Sequence, residues 1–316
     1  MKRIETKGMP ITVIGIDHGY GNIKTANTIT PTGVEVYAEE PMFTGNVLYF
    51  SEKGIGRYYR IGETHKPYSP DKTADNEYYV CTLMAIAKEL ELLKITNAEV
   101  HLAVGLPLTW VKKQRETFRE YLTRYKEVEF DFNGTHYSIN IVGCNVYPQG
   151  YTAVLDRLHE MGGTNILADI GNGTMNIMYI QDKKPVESKC FTEKMGVNQC
   201  VIAAKNAIMD EYGVPVDDAI IEEIFRTGEA DIADKYKKRI VQEITKYCKK
   251  IFETLATHEY NSDMMRLYIV GGGSNIVRRF GEYDKKRTVI VPDVCATAKG
   301  YEALAYKTLT KEMQSN

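Results

Sequence analysis

Apolar and polar positions in this chain follow two periods, and the places where the period changes mark out its elements. Residues 11–17 form a short β-branched run, Ile–Thr–Val–Ile–Gly–Ile, that closes on Asp17 and predicts a buried strand. Residues 22–29 and 34–38 read as its antiparallel neighbours, with Pro31, Thr32 and Gly33 as a turn, and 47–62 reads as irregular hairpin structure. From about 73 to 94 the apolar residues Val80, Leu83, Met84, Ala87, Leu90 and Leu93 recur at helical spacing. A strand follows at 98–105, a helix from Pro107 to 124, strands at 127–132 and 135–146, and a helix at 149–161.

After Gly162–Gly163 the opening pattern returns. An apolar strand ends in Asp169, a glycine turn follows, and further strands are expected at about 175–180 and 185–191. Two strand–Asp–Gly-turn–strand units about 150 residues apart imply two related lobes. Helices are expected at 196–212, 217–226 and 231–257. A strand then runs into Gly271, Gly272 and Gly273, a helix starts near Ser274, a strand covers 288–291, and a last helix covers 296–311.

At 316 residues the chain is longer than one small core needs, which fits two lobes. A net charge of -2 argues against a protein whose main task is to coat nucleic acid. The 6 cysteines are scattered without a C-x-x-C pair, so they read as buried thiols of a reducing compartment rather than zinc ligands. No stretch reaches the ~18 apolar residues of a membrane span, and the N-terminus lacks a signal-peptide core, so a cytoplasmic protein is expected. The 22 tyrosines could serve an interface.

The two turns share a spacing. Asp17 is followed by Gly19, Tyr20, Gly21, Asn22 and, on the returning strand, Lys24; Asp169 is followed by Gly171, Asn172, Gly173 and Thr174. Glycines let backbone N–H groups approach an anion closely, and phosphate is the natural guest. Mg²⁺ between carboxylate and phosphate would neutralise both, and Lys24 would add a point charge. Asp and Gly are also good residues for a purely structural turn, so one such turn alone decides little. The run Gly271, Gly272, Gly273, Ser274, Asn275 ends a strand and opens a helix. It could seat a purine, or serve only as a tight connection. It is neither a Walker nor a Rossmann pattern. Gln149, between a strand and a helix, could orient a water, or simply begin the helix.

Taken in order, these motifs resemble those of the actin-like ATPases, in the superfamily that also holds sugar kinases and heat-shock-70 proteins. Residues 17–24 resemble the first phosphate motif, 146–150 the first connecting motif, 169–174 the second phosphate motif and 270–275 the adenosine motif. Residues 296–301 resemble the second connecting motif, where small residues let helices cross closely. The wording of "DHGYGNIK", "VYPQGY" and "ATAKGY" is most similar to the ParM/StbA branch of plasmid-segregation actins. This chain has glutamine at position 149, where some of that branch carry glutamate, and Asn172 where many relatives have glycine.

The resemblance implies an α/β fold of two lobes, each a mixed five-stranded sheet flanked by helices, with a nucleotide cleft between. Lobe I would be 1–161, with the C-terminal helix 297–316 packing back on it, and lobe II 162–296. ATP, or GTP, would lie with its base near Gly271–Asn275 and its phosphates between the two turns. Mg²⁺ would be held by Asp17 and Asp169 largely through water, and Gln149 would orient the attacking water. The implied activity is nucleotide hydrolysis coupled to head-to-tail self-assembly into a filament. The filament would segregate plasmid DNA through an adaptor protein bound to a centromere, with no direct nucleic-acid contact and no membrane partner. A small-molecule kinase on the same scaffold is the main rival. It would need a general-base aspartate in a third Gly-rich context, and the sequence offers none. A nucleotide-switched regulatory actin is the other.

Overall fold

The computed structural model describes residues 2–42, 45–64 and 71–315. The elements of the first half are β1 (Lys2–Ile4), β2 (Ile11–His18), β3 (Asn22–Lys24), β4 (Ile29–Pro31), β5 (Val34–Tyr37), β6 (Asn46–Glu52), β7 (Ile55–Ile61), α1 (Glu77–Leu93), β8 (Asn97–Leu106), α2 (Leu108–Leu122), β9 (Glu127–Phe132) and β10 (Thr135–Pro148). A 3-10 segment, Tyr151–Glu160, kinked at Val154, leads into the second half. There follow β11 (Thr164–Ile170), β12 (Met175–Gln181), β13 (Lys184–Glu193), α3 (Val197–Tyr212), α4 (Asp218–Thr227), α5 (Asp234–Thr257), β14 (Arg266–Val270), α6 (Ser274–Phe280), β15 (Thr288–Ile290) and α7 (Ala296–Ser315). The chain divides into two compact units, Met1–Leu155 with Cys295–Asn316, and Asp156–Val294.

In the first unit, β2, β8 and β10 run parallel at the centre of one mixed sheet, ordered β4-β3-β2-β8-β10-β9-β6-β7-β5, with β1 antiparallel to β2. β2 and β8 are buried on both faces, which is why their sequences are mostly apolar, whereas β10 alternates between buried and less buried positions. Ile14, Ile16, Leu102 and Val104 pack in one core with Leu83, Met84 and Leu90 of α1 and Phe118 of α2. Val13 and Ala103 pack in a separate cluster with Tyr301 and Ala305 of α7. α7 lies so close to β2 that a Cβ on Gly15 would overlap the Ala298 carbonyl oxygen. A Cβ on Gly300 would overlap the Thr152 carbonyl, and the Thr152 hydroxyl donates to the Thr297 carbonyl at 3.2 Å. The close crossing expected at 296–301 is therefore present.

The second unit has a five-stranded sheet, β13-β12-β11-β14-β15. β11 is antiparallel to β12 and parallel to β14. That repeats the first unit, where β2 is antiparallel to β3 and parallel to β8. The repeat expected from sequence is thus one of topology. The long helix α5 buries Ile240, Ile244, Tyr247, Cys248, Ile251 and Leu255 at helical spacing against β11, β12 and α3.

The structure departs from the pattern reading in several places. Residues 22–29 are not one strand but β3 and β4, separated by a turn at 25–28 that is bonded to α1. Residues 34–37 pair with β7, not beside β2. Residues 47–62 form a regular antiparallel hairpin, β6–β7, whose pairing with β9 enlarges the first sheet. The helix expected at 149–161 is 3-10 rather than α. Some of the tyrosines are core, and Tyr78, Tyr79, Tyr268 and Tyr301 are among the largest fully buried side chains, while most of the other described tyrosines are half-buried. All 6 cysteines are free, and only Cys190 is more than slightly exposed.

Candidate functional site

In open α/β sheets, ligands gather at the carboxyl ends of parallel strands. In the first unit those ends carry Asp17 (β2), Leu106 (β8) and Pro148 (β10), held level by the pairs Ile16↔Val104 and Pro148↔Leu106. This alignment brings Gln149 to Asp17 across 132 positions of sequence, its Nε2 donating to Asp17 Oδ1 at 3.1 Å. The Gln149 N–H donates to the Leu106 carbonyl at 2.8 Å, which fixes where the side chain starts. The carboxylate can only accept, so the Gln149 amide nitrogen faces Asp17 and its carbonyl oxygen is the atom able to accept from a water.

Asp17 is 8% exposed. Directly across the hairpin, in the register Asp17↔Lys24, the Lys24 ammonium stands 3.4 Å from Asp17 Oδ2. Lys24 is itself positioned from behind. Glu89, a fully buried carboxylate of α1, accepts from the Thr25 hydroxyl, from the Asn27 N–H at 3.2 Å and from Asn27 Nδ2 at 2.8 Å, so the turn after Lys24 is tied to the core. A buried carboxylate with three donors is satisfied, and removing it would strand them.

The first turn, 18–21, has all four of its carbonyls engaged. The Lys72 ammonium donates to His18 and the Tyr78 hydroxyl to Gly19 at 3.3 Å. The Thr32 hydroxyl donates to Tyr20, and the Thr32 N–H to Gly21 at 3.1 Å. His18 is fully buried, and burial, reinforced by the nearby Lys72 charge, lowers its pKa to about 3. The Thr82 hydroxyl donates to the Tyr78 carbonyl at 2.6 Å, so it accepts from His18 Nε2 at 2.8 Å.

In the second unit the pairing Asp169↔Val270 sets the second turn beside the glycine run. Gly271 has φ +84°, and a Cβ there would lie 2.5 Å from Asp169 Oδ1 and 2.6 Å from the Ile170 carbonyl oxygen. Only glycine fits both demands. The Gly273 N–H donates to the Ile170 carbonyl at 2.9 Å. The turn 171–174 closes with Gly171 N–H on the Thr174 carbonyl at 2.9 Å. It is seated on the N-terminus of α3 by Val197 N–H to Gly171 (3.0 Å) and Asn198 N–H to Asn172 (2.9 Å). Ser274 is buried with its hydroxyl on the Val291 carbonyl (2.9 Å), and Asn275 Nδ2 donates to the Pro292 carbonyl (3.1 Å). These two side chains set the turn. Gly272, where a Cβ would meet nothing within 4 Å, is its open part.

The two turns differ in charge. The residue opposite Asp169 in the hairpin register is Asn176, where the first turn has Lys24. Asn176 accepts from the Thr192 hydroxyl at 2.9 Å. Among the described residues no cluster of three or more His, Cys, Asp or Glu side chains could hold a metal alone. A Mg²⁺ shared with phosphate oxygens and waters needs only one or two carboxylates, so single aspartates at 17 and 169 fit that mode.

Sequence reasoning overlooked Lys72 and Glu89. Glu89 was legible: it lies three residues from Ile86, on the apolar stripe of α1. Lys72 sits in a polar run with no periodicity, and nothing in the sequence marks it.

Each of the two α/β units has a central strand that ends in an Asp-x-Gly-x-Gly turn. The family model for the "Actin like proteins N terminal domain" matches residues 15–151, and that for "Archaeal actin homologue MreB-like, C-terminal" matches residues 167–281. The chain belongs to the actin-like proteins.

No curated protein matches the sequence significantly. Among solved structures, apo psk41 ParM is 18% identical, with 96% of this chain and 99% of that one covered at a TM-score of 0.73. Ta0583, an archaeal actin homologue solved in complex with ADP, is 23% identical over 93% of this chain and 99% of its own, TM-score 0.73. The Alp12 filament structure is 17% identical over 95% and 99%, TM-score 0.68. At these identities the likeness is one of fold. No described helix is long and apolar enough to cross a membrane.

Proposed function

We propose that this protein is an actin-like ATPase that assembles head-to-tail into filaments when it binds Mg-ATP and disassembles after hydrolysis, and that filament growth segregates plasmid DNA through an adaptor protein on a centromere. One nucleoside triphosphate with its cation is gripped by the turn of the first unit and the turn of the second. The observation that carries this reading is the recurrence of one device: an aspartate at the carboxyl end of a central strand, followed by a Gly-x-Gly turn. The fold shared with a ParM, with an actin homologue solved with ADP and with an Alp12 filament supports it.

In this reading Lys24 binds phosphate charge, and Asp17 and Asp169 hold the waters of the cation. The cation, when bound, neutralises the phosphates. The backbone at 271–273 seats the base, and Gln149 holds the attacking water through its carbonyl oxygen while its nitrogen stays on Asp17. A neutral amide orients but barely accepts a proton, which suits slow hydrolysis that times disassembly.

Light scattering after addition of Mg-ATP tests this. The expected result is assembly above a threshold protein concentration, followed by decay. Gln149→Ala should still assemble but decay more slowly, because water is no longer oriented. ATP consumption that stays proportional to protein concentration, with no threshold and no scattering, would overturn the filament reading.

A further inference from the structure

Lys72 is 2% exposed and lies in the turn before α1. Asp71 pins that turn, its Oδ1 accepting from the Thr73 N–H at 2.8 Å and the Thr73 hydroxyl at 2.7 Å. The lysine ammonium donates to the His18 carbonyl, and it stands 5.5 Å from the centre of the Tyr20 ring and 5.7 Å from that of Tyr78. A carbonyl and two ring faces are modest compensation for an ammonium taken out of water. Burial lowers its pKa to about 8, with the Asp17 charge opposing that shift and the Lys24 charge adding to it, so the group is still protonated at pH 7.

A methionine would fill the same space without the desolvation penalty. A charge kept in such a place serves binding rather than folding. Its location says which binding. The carbonyls of residues 18–21 are drawn toward Lys72, Tyr78 and Thr32. In a trans peptide the N–H opposes the C=O of the preceding residue, so the group fixed together with the His18 carbonyl is the Gly19 N–H, which donates to the Asp17 carbonyl at 3.1 Å.

We propose that Lys72 is a positioning residue for the polyphosphate chain: from beneath the first turn it holds the His18 carbonyl, and with it the Gly19 N–H on the Asp17 carbonyl, so that the turn keeps its shape beside Asp17, and its charge joins that of Lys24 in favouring a triphosphate over a diphosphate. This rests on the nucleotide reading above and adds to it a residue and a selectivity.

The test is calorimetric titration of the whole protein with Mg-ATP and with Mg-ADP, paired with thermal unfolding without nucleotide. Lys72→Met should melt no lower than the parent, bind Mg-ATP at least tenfold more weakly, and show an ATP-to-ADP affinity ratio moved toward one. Lys72→Gln keeps a donor for His18 but no charge. It should bind Mg-ADP as the parent does and Mg-ATP more weakly, which a merely structural role would not produce. If either variant folds and keeps the parent's ATP-to-ADP ratio, the proposal is overturned. If the parent binds neither nucleotide, the fault lies in the nucleotide reading itself, and the two failures are distinguishable.

Discussion

At the scale of single residues, the first turn is built from groups that resist being where they are. His18 follows Asp17 directly and is buried as a neutral ring with its pKa lowered to about 3 from 6.5. The folded state therefore binds fewer protons than the unfolded chain between those values. The stability this gives is fully present above about pH 6.5 and is lost as pH falls toward 3, with a slope of at most about 1.4 kcal/mol per pH unit. Urea unfolding of the nucleotide-free protein should show this fall between pH 6.5 and 4, and His18→Gln should flatten it by one proton equivalent. An unchanged slope would mean that His18 is not the group titrating. In the second turn, Gly271→Ala combines a left-handed backbone angle with overlap on Asp169. It should cost about 1–2 kcal/mol in the same assay and displace the Asp169 carboxylate, weakening Mg-ATP binding as well.

At the scale of elements, the fold read from the sequence wherever periodicity was long. α1, α3, α5, β8, β10 and β11 lie within a few residues of their expected bounds: α3 and α5 bury one side over several turns, α1 is buried nearly all round from Tyr78 to Ala87, β8 and β11 are buried almost continuously, and β10 alternates. What could not be read was short or tertiary. β3 and β4 are three residues each and are separated by a turn whose partner, Glu89, lies 62 to 64 positions away. Lys72 was invisible because its role depends on where the turn before α1 touches β2. Of the expected site, the twin aspartate turns were legible as spacing, whereas the nearness of Gly271 to Asp169 depends on the pairing of β11 with β14 and was not. The Gln149–Asp17 bond was not, since it depends on three strands lying side by side.

Two element-level tests follow from these ties. Glu89→Gln should weaken the hold of α1 on the 25–28 turn and cost about 1.5–3 kcal/mol, read as a lowered denaturation midpoint, because the change exchanges a charged acceptor for one that also brings donors. α4 is capped by Asp217, whose side chain accepts from the Ala219 N–H at 2.8 Å. Asp217→Ala should cost only about 1 kcal/mol and leave nucleotide binding unchanged. A loss of binding there would mean that α4 bears on the site.

At the scale of the whole molecule, the same topology appears twice with different residues in register with the aspartate. The first turn sets its aspartate against Lys24, with Lys72 close behind, and the second sets its aspartate against a neutral asparagine. The first is equipped to attract phosphate charge. The second carries its aspartate in register with Asn176, and in the proposed function it serves the water shell of a divalent ion. The proposed function has both turns serve one ligand. The most direct measurement is therefore the stoichiometry and affinity of Mg-ATP binding to the parent, Asp17→Ala and Asp169→Ala proteins. The account predicts one site per chain, weakened at least tenfold by either substitution. A variant at position 17 or 169 that folds and binds Mg-ATP as tightly as the parent would contradict it.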